Sequence, residues 1–403
     1  MEQYDVIIVG GGAAGLFARA NLPPCRALLL EGGEQTGRKL LITAGGMCNL
    51  TNTLDVQRFL KCYGSKEQRN FLLPALQNLT PDGLRQWFEE RGVATVVRSD
   101  GKVFPESLDA RDVHDCLISS SAIPIRSREK VIDIEANGSL FIVTSEQATY
   151  RAKSLIIAPG GKSYPRTGSD GSLYPVLKRL GHPIVSPKPA LVGLIIKDWP
   201  YRALSGSSMQ DVRITAVHAG EQKVYHQGSG DLLFTHRGLS GPPILTVSGS
   251  VEGGDVITVA FINDAQETIE SLARAHSHQQ VATLLREAGL TRTLALALLE
   301  AAHINAAEAW RAIDGTRRRA LLTLIGAHPF TVERTMGFPS AMVTRGGVAL
   351  SQVNRKSMES RIHRGLFFCG EVLDYDGESG GFNLQGAFST ALLAAQHVQE
   401  YLS

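Results

Sequence analysis

The run Val6-Ile7-Ile8-Val9, followed at once by Gly10-Gly11-Gly12-Ala13-Ala14-Gly15, constrains this chain more than any other feature. Four consecutive β-branched residues read as a strand buried on both faces of a parallel sheet. Leu16-Phe17-Ala18-Arg19-Ala20 then suits a helix, so glycines 10, 12 and 15 fall on a strand–turn–helix in G-x-G-x-x-G spacing. At such a turn the first glycine allows the bend, the second lets backbone approach a pyrophosphate, and the third brings helix onto strand. The N–H groups at the helix start, around Ala13 and Ala14, and the positive dipole end favour phosphate there. A second apolar run, Ala27-Leu28-Leu29-Leu30, ends in Glu31. An acid about 20 residues beyond the first glycine hydrogen-bonds the adenosine ribose hydroxyls. Strand, glycines, helix, strand and acid in that order predict a Rossmann-type unit that holds a dinucleotide. The competing reading, a glycine-rich turn without ligand, leaves their conjunction as coincidence.

Length and composition frame this core. A chain of 403 residues exceeds one ordinary core, which predicts two or three domains. Apolar and charged shares of 43% and 20% are those of a globular protein. The 41 basic and 39 acidic residues leave a formal net charge of +2. That balance gives no whole-chain signature of nucleic-acid binding, although it leaves local basic faces open. Cys25, Cys48, Cys62, Cys116 and Cys369 are scattered, odd in number and free of C-x-x-C pairs. Neither a disulfide framework nor a zinc site is expected, nor any metal, and a reducing cytosol suits them. Met1-Glu2-Gln3-Tyr4-Asp5 is acidic where a signal peptide needs a basic start. No apolar stretch approaches the roughly 18 residues of a membrane span. The expectation is a soluble, cytoplasmic protein without a membrane partner.

Several later segments carry a more specific signal. After Glu31 come Gly37-Arg38-Lys39 and Thr43-Ala44-Gly45-Gly46-Met47-Cys48-Asn49-Leu50-Thr51-Asn52. Leu155-Ile156-Ile157-Ala158-Pro159-Gly160-Gly161 is a strand breaking into a glycine turn, continued by Ser163-Tyr164-Pro165-Arg166-Thr167-Gly168. Asp231-Leu232-Leu233-Phe234-Thr235-His236-Arg237-Gly238-Leu239-Ser240-Gly241-Pro242 lies in the middle of the chain. Leu366-Phe367-Phe368-Cys369-Gly370-Glu371 is a last buried strand ending in an acid, ahead of Asp374, Gly377 and Gly380-Gly381-Phe382-Asn383-Leu384-Gln385-Gly386-Ala387. Along nearly the whole chain these segments resemble the YhiN/BaiN/RdsA-type flavoproteins. Those carry G-R-K-x-L-x-S-G-G-G-R-C-N-x-T-N, [ED]-L-L-F-T-H-R-G-L-S-G-P and G-E-x-x-D-x-x-G-x-x-G-G-[FY]-N-x-Q. The chain departs from the pattern at Thr43-Ala44 and at Met47, where the family has arginine. Pro159 replaces the threonine of the related A-T-G-G turn.

The resemblance implies FAD, with Gly10, Gly12, Ala13, Ala14, Gly15 and Glu31 at its diphosphate and ribose. It further implies contacts from Gly37, Arg38, Lys39, Gly45, Gly46, Cys48 and Asn49, and from Val131 at the adenine end. Ala158, Gly160, Gly161, Gly370, Glu371, Gly381, Phe382, Asn383 and Leu384 complete the implied set, Glu371 beside the ribityl chain. A glycine pair opening a helix lets backbone N–H groups face the isoalloxazine N1–C2=O, where negative charge develops on reduction.

The two implied FAD-contacting stretches lie at opposite ends, so the middle must be an insertion. The expected plan is α/β: a discontinuous Rossmann-type FAD-binding domain over residues 1–187 and 343–403. An inserted antiparallel β-barrel takes 188–264 and 331–342, and a small helical subdomain takes 265–330. Ser186-Pro187-Lys188-Pro189 stiffens the crossing. Short runs such as Leu194-Ile195-Ile196 and Val212-Arg213-Ile214 predict barrel strands, and the Ala- and Leu-rich Leu294–Leu299 predicts helix. Residues 128–135 and 140–143 predict a hairpin about Asn137-Gly138.

Two residues are candidate catalytic acids. Cys48 follows two glycines in the loop expected beside the flavin, and a thiol of pKa about 8.5 stays protonated at neutral pH. Its alternative role is to fill space. His236 is the other candidate, with Arg237 as an anion holder, on a polar loop between a strand and a Gly-Pro turn. The alternative is structural, with the arginine pinning turn carbonyls. Arg317-Arg318-Arg319 suits either RNA phosphates or a solvated helix face.

The resemblance implies reduction of an activated C=C bond by hydride from flavin N5, with uridine of 23S ribosomal RNA becoming dihydrouridine. An RNA base would have to leave its stack to react. NAD(P)H is the expected transient electron donor, and no second G-x-G-x-x-G provides it with a domain of its own. The alternatives are a small-molecule ene-reductase and a ribosome- or RNA-binding protein with a structural FAD.

Overall fold

A computed structural model describes residues 1–276 and 278–402. It divides into two units, residues 1–189 with 342–403, and residues 190–341. The first is built on a seven-stranded sheet. Strand Glu2–Val9 lies at its centre, parallel to Ala27–Leu30 on one side and to Thr149–Ile157 on the other. Ile125–Arg126 extends the first side in parallel. Antiparallel Leu140–Ser145 and Val131–Asn137 extend the second. Leu366–Phe368, from the far end of the chain, pairs in parallel with Leu155–Ile157.

The central strands are the runs that read as buried from sequence. Val6, Ile7, Ile8 and Leu28–Leu30 are excluded from solvent, as helices cover both faces of a parallel sheet. Helix Ala13–Asn21 and the long helix Phe382–Leu402 pack against each other through Phe17 and Phe388, whose ring centroids are 4.9 Å apart. The expected hairpin forms over Val131–Asn137 and Leu140–Ser145, with Gly138 in the left-handed region at φ 62°. Its first strand begins at Val131 rather than 128, because Arg128 and Glu129 instead bond back to Gly33 and Glu31.

The second unit is a closed six-stranded barrel. In order around it run Leu194–Ile196, Gly238–Ser240, Val224–Phe234, Ser208–Val217, Val256–Ala260 and His328–Thr335, which closes onto the first. Helices Ala265–Ala275, Val281–Glu287, Arg292–Ala301 and Gly315–Gly326 lie between its last two strands. Leu284, Leu294, Leu298 and Leu321 join the barrel's Ile257, Val259 and Phe330 in one apolar core. The fold is therefore an α/β Rossmann type with an inserted barrel and added helices. Among the described residues, no helix is long and apolar enough to cross a membrane.

In each unit one buried histidine is held neutral by its surroundings, His182 in the first and His328 in the second. His182 bonds Ser360 Oγ at 2.7 Å and His328 bonds the Tyr201 hydroxyl at 2.7 Å; burial first pushes both imidazoles down to about 4. An unfolded histidine titrates near 6.5, so below that pH the unfolded chain binds protons the folded chain refuses. Their contribution, roughly 3 kcal/mol each, is present above pH ~6.5 and is lost as pH falls toward ~4. Melts across this window should show the loss, and His182→Gln, which keeps a hydrogen-bonding side chain, should remove the first unit's share of it while leaving that of His328.

Candidate functional site

Strand Glu2–Val9 ends at Gly10, whose φ of 102° turns the chain, and helix Ala13–Asn21 starts with no side chain capping it. Its first N–H groups are left to a ligand. Glu31 emerges from the neighbouring strand, and its two carboxylate oxygens accept from Gly11 N at 2.7 Å and Gly33 N at 2.6 Å. The acid is thus locked beside the turn while its remaining lone pairs can accept hydroxyl groups. Val131 is buried at the start of its strand, and Glu129 N, two residues earlier, bonds Glu31 O at 2.8 Å. Gly37 N bonds Gly11 O at 2.8 Å, which ties the start of the Gly37-Arg38-Lys39 segment to the same turn. Arg38 is exposed.

The two chain ends meet here. Lys39 Nζ pairs with Glu371 Oε2 at 2.6 Å and also bonds Ser163 Oγ. Glu371 Oε1 accepts from Ser163 Oγ and from Thr344 N, both at 2.7 Å. Thr344 Oγ1 in turn accepts from Lys162 N at 2.7 Å and Ser163 N at 3.0 Å. Four separated segments are therefore fastened at one carboxylate, which follows Gly370 and lies just past the Ala158–Gly161 turn. Ser163 and Thr344 are members that sequence reasoning did not single out. Ser163 stood in a quoted motif two residues after the glycine turn; nothing near Thr344 marked it.

A second cradle joins residues 43–52 to the start of helix Phe382–Leu402. Ala44, Gly45, Gly46 and Cys48 all have positive φ, between 50° and 93°. Such a run turns backbone N–H groups toward a common side, and in non-glycine residues it is strained. With its amide oriented to satisfy its neighbours, Asn49 donates to Thr51 O at 2.9 Å and accepts from Gly381 N at 3.0 Å. Gly381 has φ 93°, and a Cβ there would lie 2.4 Å from Thr51 O, so only glycine fits. The buried Thr51 hydroxyl has no protein partner. Tyr63 OH donates to Phe382 O at 2.7 Å and Phe382 packs edge-on to Phe59. The Asn383 side chain is held by Gly377, accepting from its N–H and donating to its carbonyl at 2.8 Å each, so the side chain serves its own loop. Leu384 is half-buried on the first helical turn. Close by in sequence, burial and the carboxylates of Asp376 and Glu67 raise the Asp374 carboxyl, while Asp376 is paired with Arg345 at 2.9 Å.

The departure at Met47 is accompanied by a guanidinium from elsewhere. Arg98 Nη2 lies 3.3 Å from Met47 Sδ, and the same guanidinium sits over the Phe104 ring at 4.1 Å.

Cys48 is placed differently from a thiol meeting a substrate. It has no solvent exposure, lies in the apolar core, and burial pushes its thiol up to about 12. A proton that weakly acidic is a poor donor, and the geometry favours the space-filling reading. At about pH 8 a maleimide should label the half-buried Cys25 and Cys62 well before Cys48. Mass spectrometry of the native protein reads that order, and early labelling of Cys48 would contradict it.

In the second unit, His236 and Arg237 occupy the loop Thr235–Arg237 between two barrel strands. Both side chains are exposed and neither has a protein partner among the described residues. The loop is shaped instead by Thr235, whose Oγ1 donates to Gly238 O at 3.0 Å. Arg237 therefore does not pin the turn. The Arg317–Arg319 run is largely used internally. Arg317 pairs with Asp314 at 2.6 Å and Glu308 at 3.2 Å, and Arg318 donates to the carbonyls of Trp310 and Arg311.

These residues fit FAD: an uncapped helix start and a fixed acid for the dinucleotide, and a strained loop facing a second helix start with an unpartnered hydroxyl. The comparisons agree. The family described as HI0933-like protein Rossmann domain matches residues 4–397. The chain is 30% identical over 408 residues to the ribosomal RNA dihydrouridine synthase of Haemophilus influenzae, covering 98% of each. It is 29% identical over 411 residues to the 3-dehydro-bile acid delta(4,6)-reductase of Clostridium scindens, again covering 98% of each. Among solved structures, the FrdA chain of E. coli quinol fumarate reductase shares the fold at TM-score 0.52 and 14% identity, covering 100% of this chain and 71% of that one. The 3-ketosteroid delta1-dehydrogenase of Sterolibacterium denitrificans does so at TM-score 0.52 and 12% identity, covering 99% and 100%. The chain belongs to the HI0933-like family and is an FAD-dependent oxidoreductase.

Proposed function

We propose that this protein reduces an activated carbon–carbon double bond, and that the bond is C5–C6 of a uridine in 23S ribosomal RNA. The observation that carries the reading is end-to-end similarity to a ribosomal RNA dihydrouridine synthase, 98% of each chain. The bile-acid reductase, at nearly the same identity, favours the same bond chemistry on a small molecule and is the second reading. Bound in the first unit, FAD would supply the hydride for such a reduction, with NAD(P)H as its electron donor.

The chain's own part is binding and proton supply. Gly10, Gly12, Ala13, Ala14 and Gly15 would hold the diphosphate by backbone N–H groups, and Glu31 the ribose hydroxyls. Val131 would border the adenine, and Arg38 and Gly37 the same end. Lys39 and Glu371 would act as a neutralised pair that fixes Gly160, Gly161, Ala158 and Gly370 along the ribityl chain. Gly45, Gly46, Asn49, Gly381 and the N–H groups of Phe382, Asn383 and Leu384 would face the ring, with Cys48 filling space beneath the loop. His236, exposed and unpartnered, is the proposed proton donor to the second alkene carbon, and Arg237 the holder of an anionic substrate group.

Mass spectrometry of nucleosides from large-subunit ribosomal RNA tests the reading. Dihydrouridine should disappear at one position in a deletion strain and return with the wild-type gene. Unchanged modification, with NAD(P)H still bleaching the flavin, would leave the small-molecule reading; a flavin that no donor reduces would defeat both. His236→Gln should lower turnover while leaving flavin content unchanged.

A further inference from the structure

The first unit also carries an open cleft, of about 420 Å3, that none of the preceding roles uses. Lys66, Asn70 and Phe71 line it from helix Lys66–Asn78, and Ser351, Arg355 and Arg361 from the loop that follows strand Val343–Val348. Among the described residues, none of its three cations is paired with a carboxylate. Arg355 Nη1 donates to Asn70 O at 3.2 Å. Glu67 is the single acid on the wall, so the lining stays net positive.

The cations are held on fixed backbone. Lys66 is the first residue of a 13-residue helix whose start is secured by a capping box between Ser65 and Gln68, and the helix dipole adds positive potential there. Arg361 N bonds Gln352 O at 2.8 Å, and Val353 bridges Ser360, so the loop carrying both arginines is closed on itself. Three cations lining one cleft against a single carboxylate repel one another on balance, and an anion seated among them removes that cost. Arginine forks suit phosphate oxygens, and a lysine adds a point charge. The volume lies in the range of small-ligand sites, more than a bare phosphate fills. Phe71 supplies an apolar wall, and Asn70 and Ser351 supply hydrogen-bonding groups.

We propose that this cleft binds a phosphorylated nucleoside, its phosphate gripped by Lys66, Arg355 and Arg361. The nucleoside phosphate belongs either to a free nucleotide or dinucleotide or to an RNA strand. The site stands apart from the proposed reaction, and either can hold without the other.

The test is calorimetry on the flavin-loaded full chain with adenosine diphosphate, a uridine hexanucleotide and unphosphorylated adenosine. Lys66→Gln and Arg361→Gln replace exposed side chains, and an unchanged flavin spectrum certifies their fold. At least one phosphorylated probe should bind, weaken with added salt, and lose about tenfold in affinity in each variant, the loss of one charge-assisted contact. Adenosine should not bind. A response to the diphosphate alone identifies a small nucleotide, and to the hexanucleotide alone an RNA strand. If neither probe binds, or the variants bind as tightly as wild type, the proposal fails.

Discussion

Gly12→Val should give a folded protein that purifies without its yellow colour, whereas Gly15→Ala should destabilise the first unit itself. The two glycines sit three residues apart in one motif, yet their surroundings differ. Gly12 precedes helix Ala13–Asn21 in an extended conformation, φ −80° and ψ −171°, which valine adopts without strain. A Cβ built there meets nothing within 4 Å. The empty space lies where the motif requires backbone to approach a diphosphate, so valine fills ligand space rather than protein space. Replacing a glycine N-cap costs the fold about 1 kcal/mol at most, while overpacking against the ligand should weaken FAD by about 100-fold, about 3 kcal/mol. At Gly15 a Cβ would lie 1.9 Å from Gly10 O, a backbone atom that cannot move aside alone. Strand and helix must separate, which costs about 1–3 kcal/mol or more and outweighs the roughly 1 kcal/mol that alanine gains in helix propensity. Flavin absorbance per protein and the melting temperature of flavin-stripped protein separate the outcomes. A Gly12→Val protein that keeps full flavin, or a Gly15→Ala protein that melts like wild type, would refute the division of labour.

What the sequence disclosed follows from how locally each feature is determined. The strand Glu2–Val9, its glycine turn and Glu31 were legible because one short stretch carries both the hydrophobic run and its punctuation. Barrel strands such as Leu194–Ile196 and Val256–Ala260 were legible for the same reason. Closure of the barrel was not: His328–Thr335 pairs with Leu194–Ile196, more than a hundred residues earlier, and its pattern says nothing of partner or order. The site divides likewise. Glu371 stood out as an acid ending a buried strand, but that it pairs with Lys39 rather than facing a ligand alone is a fact about two distant segments. Thr344 contributes a backbone N–H to the same carboxylate, and a backbone group has no signature in residue type. At Cys48 the neighbouring glycines suggested an open loop. The structure instead places the thiol in the apolar core beneath the loop, whose Cys48 N–H bonds back to Thr43 O. Arg98 beside Met47 shows the converse, a missing cation at one position with another brought alongside from a segment some fifty residues away.

Breaking the pair at the seam of the two chain ends should cost more than removing it. Glu371 accepts from Lys39, Ser163 and Thr344, and its side chain is 21% exposed against 22% for Lys39. Glu371→Ala leaves a largely desolvated ammonium, a hydroxyl and an N–H without their acceptor, and should destabilise the first unit by about 3 kcal/mol, the lower end for a broken buried pair given its residual solvent access. Lys39→Met strands the carboxylate but leaves it two donors, so about 2 kcal/mol is expected. In Lys39→Met/Glu371→Ala no charge is stranded, although Ser163 and Thr344 still lose an acceptor. The double variant should therefore lie well short of the summed single losses, with a coupling of about 1–3 kcal/mol. Urea unfolding of each protein, followed by release of flavin fluorescence and by circular dichroism, measures the cycle. If the losses simply add, the carboxylate is not the clasp between residues 39, 163, 344 and 371, and the FAD cradle must be held by the strand pairing of Leu366–Phe368 with Leu155–Ile157 alone.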